Sequence, residues 1–264
     1  MQDPSSTQRA TRRDVDVTLE ICVDTLAGAR AAIAGGADQL ELCGALSLGG
    51  LTPSSGLTRA VMAVARPVGV VVRAMVRPRA GDFVYDADEM ATVIAESRAL
   101  LEDGVDGLVF GATREDAPDQ PALSSWVAAV RNTSDGKRAL LGFHRAIDVV
   151  TDPVRAIDTI VELGFDQILS SGGASTALAG VDMLAAMTRH ARGRCRIIAA
   201  AGVSPKNIDA LLAHGLPPAV HASARKPYDG VEEIPSWFGF GQAPHPTDAA
   251  MVAALRKALD RHGR

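Results

Sequence analysis

Aromatic residues make up only 4% of this 264-residue chain, and no basic run is interleaved with them. Together with a net charge of -4 and a pI near 5.9, this excludes an ordinary nucleic-acid surface. Cysteine is scarce too. Three thiols and no secretory leader fit a reducing cytoplasm, where thiols stay free, so a special role for any of them is ligation or chemistry. No apolar run approaches the ~18 residues of a membrane span. No G-x-G-x-x-G follows the first expected strand, which runs instead into Asp24-Thr25-Leu26-Ala27-Gly28. No lysine stands at a strand end as a Schiff-base candidate, since Lys206 falls inside an expected helix. What remains, 47% hydrophobic and 22% charged, is an ordinary globular composition.

A tetrapeptide that occurs twice dominates the N-terminal part: Leu19-Glu20-Ile21-Cys22 and Leu40-Glu41-Leu42-Cys43. Each reads as a strand in which side chains alternate between faces. Glu20 and Cys22 then share one face, as do Glu41 and Cys43. Two neighbouring strands of this kind gather two carboxylates and two thiols on one surface, which is costly to bury without a purpose.

From residue 19 the chain alternates strand and helix. Strands are expected over 19–23, 39–43, 69–76, 107–111, 139–144, 167–171, 196–201 and 219–223. Helices follow them near 24–34, up to 65, 87–102, up to 130, 153–163, 178–190, 205–213 and 247–261. Eight such units with short connections imply a parallel sheet closed into a single-domain α/β fold, the (β/α)8 or TIM barrel, over residues 17–264. The first 16 residues, polar and without an apolar core, are expected to be a disordered tail. A weak repeat, GGADQLEL, DGVDGLVF and LGFDQILS, places Gly-x-Asp-x-apolar where a helix ends and the next strand begins, which marks the bottom of the barrel.

In this fold, chemistry collects at the C-terminal ends of the strands. Glu20, Cys22, Glu41 and Cys43 lie there, with Arg73, Arg77, Arg79 and Asp82 after the third strand and Phe143-His144-Arg145-Ala146-Ile147-Asp148 after the fifth. Ser170-Ser171-Gly172-Gly173 follow the sixth strand, Gly202 the seventh, and His221 and Ser223 share a face of the eighth. Arg73, Arg77, Arg79, Arg145 and His221, with the amides of Ser171, Gly172, Gly173 and Gly202, make an anion site for a small ligand. Glu20, Glu41, His144 and Asp148 are the candidates for proton transfer, as in an isomerase, epimerase or lyase. The two thiols suit a soft ion. Cu(I) needs only Cys22 and Cys43, whereas zinc needs four donors and would add His144 or His221. A structural network in which the arginines neutralise the glutamates is the plain alternative. Cys195, at the start of the seventh strand, is read as structural. His190, His214, His245 and His262 are read as solvated.

LEIC, GGADQLELC, GGLTPS, RPRAGDF, GLVFG, FHRAID, SSGG and HASAR resemble the CutC family, described as copper homeostasis proteins, from about Leu19 to Arg225. The resemblance implies a (β/α)8 barrel, a cytoplasmic location, a homo-oligomer (dimer or tetramer) and copper held by cysteines of the first two strands, here Cys22 and Cys43. Three positions depart from the family pattern: Ala80 stands for a glycine, Ile147 for an aromatic and Leu48 for an acidic residue. Trp237-Phe238-Gly239-Phe240, in the loop 226–246, is expected to be an oligomer contact rather than a lid. No nucleic-acid or membrane partner is expected.

Overall fold

A computed structural model describes residues 18–214, 219–226 and 245–262. The expected N-terminal tail and the Trp237–Phe240 cluster lie outside these residues. Ten strands and eight helices are assigned: β1 (Thr18–Val23), α1 (Leu26–Ala34), β2 (Gln39–Leu42), α2 (Ser55–Ala65), β3 (Val71–Met75), α3 (Ala87–Glu102), β4 (Gly107–Val109), β5 (Thr113–Arg114), β6 (Ala117–Pro118), α4 (Gln120–Arg131), β7 (Leu140–Phe143), α5 (Pro153–Glu162), β8 (Gln167–Ser170), α6 (Val181–Ala191), β9 (Arg196–Ala199), α7 (Ile208–Leu212), β10 (Ala219–Ala222) and α8 (Ala249–His262). Eight strands close a barrel in the order β1-β10-β9-β8-β7-β4-β3-β2. Every pairing in it is parallel. The expected TIM barrel is therefore the fold. No helix of the described residues is long and apolar enough to cross a membrane.

The alternation of each strand sorts its side chains. Leu19, Ile21, Leu40 and Leu42 turn outward and join the main core between barrel and helices. The inward residues form a separate interior. Leu169, Ile198, Ala200 and Ala219 pack on one side of it, and Cys43, Met75 and Val109 on another. The few aromatics gather in the outer core: the Trp126 ring lies 4.9 Å from Phe110 and 5.8 Å from Phe165. Its indole N–H donates to Ser97 Oγ at 2.8 Å, which satisfies the one polar atom this large side chain buries.

The Gly-x-Asp repeat has a clear physical role. Asp38, Asp106 and Asp166 each stand just before an even-numbered stave of the barrel. Each accepts the backbone N–H of the preceding stave: Leu19 at 2.8 Å, Val72 at 2.9 Å and Leu141 at 2.7 Å. Each aspartate's own N–H donates to the carbonyl of that same residue. Staves are thereby clamped in pairs, β1 with β2, β3 with β4 and β7 with β8.

Two local differences from the sequence reading have physical causes. The polar loop after β4 contains a small hairpin, β5–β6, turned by Glu115 and Asp116 at φ 51° and 59°. Its turn carries no glycine, so the ordinary hairpin signal is missing from the sequence. The helix expected from residue 178 starts at Val181. Residues 171–180 fold back first, and a side chain on Gly172 would meet the Gly180 carbonyl oxygen at 2.2 Å.

Asp106→Ala is expected to lower the unfolding free energy by about 1–2 kcal/mol, one hydrogen bond to a charged group. Asp166→Ala should cost more, about 3 kcal/mol, because the buried Arg73 guanidinium also loses its carboxylate. Urea denaturation of both variants checks the order; equal losses would show that Asp166 acts only as a strand clamp.

Candidate functional site

The C-terminal mouth of the barrel opens into a cavity of about 490 Å³, within the range of small-molecule sites. Cys22, Glu41 and His221 are part of its wall at the strand level, and Arg77, Phe83, His144, Arg145 and Asp148 at the loop level. Leu46, Leu48, Met75, Val149 and Leu169 supply an apolar flank.

At the strand level, one fully buried carboxylate ties four staves. Glu20 Oε1 accepts from His221 Nδ1 at 2.7 Å. Its Oε2 accepts from Gln167 Nε2 at 2.9 Å and from Gln39 Nε2. Gln39 Oε1 in turn accepts from Arg73 Nε at 3.3 Å, and Arg73 Nη2 pairs with Asp166. Burial alone would raise the Glu20 pKa, but the hydrogen bond and charge of His221, with Gln167 and Arg73, outweigh it and hold the carboxyl below its usual range. Burial works against a charged His221, yet Cys22 and Glu41, with the hydrogen bond to Glu20, raise its pKa well above the usual value. Glu20 and His221 therefore form a buried ion pair.

Glu41 has a different balance. Its Oε2 lies 3.8 Å from His221 Nε2 and accepts from the Cys43 thiol at 3.6 Å, while Oε1 is buried without a partner. Burial, with the charge of Glu20 adding to it, pushes its pKa up to about 7 against the opposing pull of His221. Burial also holds the Cys43 thiol well above its normal pKa, and Glu41, Cys22 and Glu20 add to that. Donor atoms of Glu20, Glu41 and His221 all lie within 4.8 Å of one another, close enough to hold a metal ion.

At the loop level, Arg77 Nη1 donates to the carbonyls of Leu48 and Gly50 at 3.1 and 3.2 Å, and Nη2 to that of Gly81 at 2.9 Å. Its guanidinium carbon lies 5.2 Å from the centre of the Phe83 ring. The same ring stands 4.9 Å from His144. His144 Nδ1 accepts the Ala146 N–H at 3.1 Å, so a neutral ring carries its proton on Nε2, which has no partner. Burial, then the charge of Arg77, lowers the His144 pKa to about 3.

The anion site expected at the glycines after the sixth stave already holds an internal anion. Asp148 Oδ1 accepts from the Ser170 hydroxyl at 2.6 Å and from the amides of Ser171 and Gly173 at 3.0 and 3.2 Å. Its Oδ2 accepts from the Ser171 hydroxyl at 2.9 Å and from Arg145 Nε at 2.8 Å. The Gly172 amide donates to Ser170 Oγ at 2.8 Å. Asp148, Arg145, Ser171, Gly172 and Gly173 thus satisfy one another, which leaves Asp148 a positioning group rather than a free acid. Arg79 pairs with Asp82 and Glu89 instead of facing the cavity. Arg73 lies in the buried lattice beneath. Gly202 does border the cavity, next to Ala201, which holds a φ of 81° that a non-glycine residue rarely adopts. Cys195 is buried and free, its pKa raised to about 11 chiefly by burial. His190 and His262 pair with Asp158 and Asp209 rather than with water alone.

Sequence reasoning missed Gln39 and Gln167, the amides that seat Glu20. Their signal was present, since both follow the repeated aspartate in an Asp-Gln-apolar run. It also missed Phe83, whose role depends on a loop fold that no local pattern encodes.

The model described as the CutC family matches residues 17–226. A family protein CutC of Agrobacterium fabrum is 41% identical over 252 residues, covering 95% of this chain and 97% of its own. One from Rhizobium meliloti is 39% identical over 248 residues, covering 92% of this chain and 96% of its own. The crystal structure of a CutC protein of Streptococcus agalactiae, named for copper homeostasis, superposes with a TM-score of 0.72 at 27% identity, over 78% of this chain and 98% of that one.

A pH prediction follows from His144. Its folded pKa of about 3 lies below the ordinary histidine value of 6.5, so the unfolded chain binds the extra proton first. The stabilisation is complete above pH 6.5 and is lost as pH falls towards 3. Relative to His144→Asn, whose Oδ1 can replace Nδ1, wild-type stability should fall by about 1.4 kcal/mol per pH unit between pH 6 and 4. Parallel stability curves for the two proteins would show that His144 is not held neutral.

Proposed function

The chain belongs to the CutC family, and on that premise we propose that it is a copper homeostasis protein that takes Cu(I) as cargo at Cys22 and Cys43. One observation carries the reading. The two thiols stand on adjacent staves, and Cys22 borders the open cavity. Soft thiolates select Cu(I), for which two are sufficient. The surroundings fit a cation as well. Burial keeps the Cys43 thiol protonated, with Glu41, Cys22 and Glu20 adding to it, and the negative charges of the glutamates favour a cation in the proton's place. His221 is the candidate third donor, because Glu20 engages Nδ1 and leaves Nε2 on the side of Glu41, 3.8 Å away. A carboxylate behind a ligating histidine is a common supporting device at metal sites. The same reading puts the protein in a reducing compartment, which keeps both thiols free.

Anaerobic Cu(I) titration against a coloured competitor tests the proposal. Wild type is expected to take one Cu(I) per chain. Cys22→Ser/Cys43→Ser should lose that binding, and His221→Gln should weaken it by about tenfold. Unchanged stoichiometry in the double variant would remove the site.

A further inference from the structure

We propose that the outer half of the cavity, independently of any metal, binds a small organic carboxylate between Arg77 and His144. The charge balance of the arginines supplies the first argument. Arg73, Arg79, Arg145, Arg225 and Arg256 each pair with a carboxylate. Arg77, only 8% exposed, has three neutral carbonyls and the Phe83 ring as its partners. No ion pair reaches it among the described residues. A buried charge without a counter-ion is unfavourable, and a bound anion relieves it.

The second argument is independent of charge. Arg77 Nε and His144 Nε2 are both shielded from water and both lack a hydrogen-bond partner. A guanidinium has five N–H groups, and three are engaged by Leu48, Gly50 and Gly81. On His144 the backbone fixes the tautomer, so the unused atom is a donor. Two unused donors, one on a cation, each stand beside the same ring, Phe83, and all three residues are part of the cavity wall. A carboxylate presents two acceptor oxygens and could satisfy both, with the Phe83 ring turned aside to admit it.

The cavity also sets the class of ligand. One uncompensated positive charge matches one negative charge. A phosphate dianion would meet Glu41 and Asp148 in the same cavity, and the Ser171 and Gly173 amides are already bound to Asp148. Leu48, Met75 and Val149 leave the flank apolar, suited to a short hydrocarbon body. The site therefore favours a monocarboxylate over a sugar phosphate.

Nuclear magnetic resonance of the 15N-labelled full chain, read at the arginine Nε–H signals, tests this with isobutyrate as probe. One signal, missing in Arg77→Lys, should move downfield and saturate. Isobutyramide, the uncharged isostere, should bind at least about tenfold more weakly, the scale of one charge-assisted contact. His144→Asn should weaken isobutyrate by a similar factor, and Cys22→Ser/Cys43→Ser should bind it as wild type does. Absence of any Nε–H shift, equal binding of isobutyramide, tighter binding of inorganic phosphate, or wild-type affinity in His144→Asn would each overturn the proposal. The wild-type titrations and His144→Asn decide the matter even if Arg77→Lys does not fold.

Discussion

The interior of this barrel depends on one carboxylate with no access to water. Glu20 accepts hydrogen bonds from β10, β2 and β8 through His221, Gln39 and Gln167, and Gln39 extends the chain to Arg73 on β3. Ionised carboxylates are almost never buried unless paired. Here the desolvation is offset by an ion pair, two amide donors and a nearby guanidinium, supplied by four other staves. Such a lattice leaves little tolerance for register error. A one-residue slip of any of these strands would turn its polar residue outward and bring a neighbour from the outer face inward.

That lattice also explains why the two glutamates of the repeated tetrapeptide behave differently. Both are buried, and both sit two residues before a cysteine. Glu20 is surrounded by donors, whereas Glu41 has a thiol, a distant imidazole nitrogen and an oxygen with no partner. The first is a structural anion and the second is the responsive one. Copper handling and carboxylate binding, as proposed, use opposite ends of the same cavity: thiols and imidazole at the strand level, guanidinium and a neutral imidazole at the loop level.

Most of the architecture was legible because the barrel is periodic. Strand alternation, helix-length spacing and the Gly-x-Asp turns fix eight staves and their inward faces, including Glu20, Cys22, Glu41 and Cys43. Less of the site was legible, because sequence position cannot tell an engaged group from an available one. Arg145, Asp148, Ser171 and Gly173 are the example: their residue types and location suggest a ligand site, and the three-dimensional contacts show a closed internal one. Arg77 is the converse. It looked like one of several rim arginines, and only the absence of a carboxylate around it sets it apart. Gln39 and Gln167 could have been found by taking the Asp-Gln repeat as a statement about the inward face rather than about the turn alone.

The aspartate clamps have a kinetic side. Three pairs of staves are fastened at their base, while β9 and β10 register at one described position, Val220 with Ala199. The barrel thus has a seam. Amide hydrogen exchange in a structure of this kind is fastest where local opening breaks the fewest bonds, which among the described residues is between β9 and β10. His221 stands on one edge of that seam, with the strained Ala201–Gly202 turn on the other. Opening there would take His221 from Glu20 and leave the carboxylate with Gln39, Gln167 and the charge of Arg73, so the imidazole and its buried partner respond together.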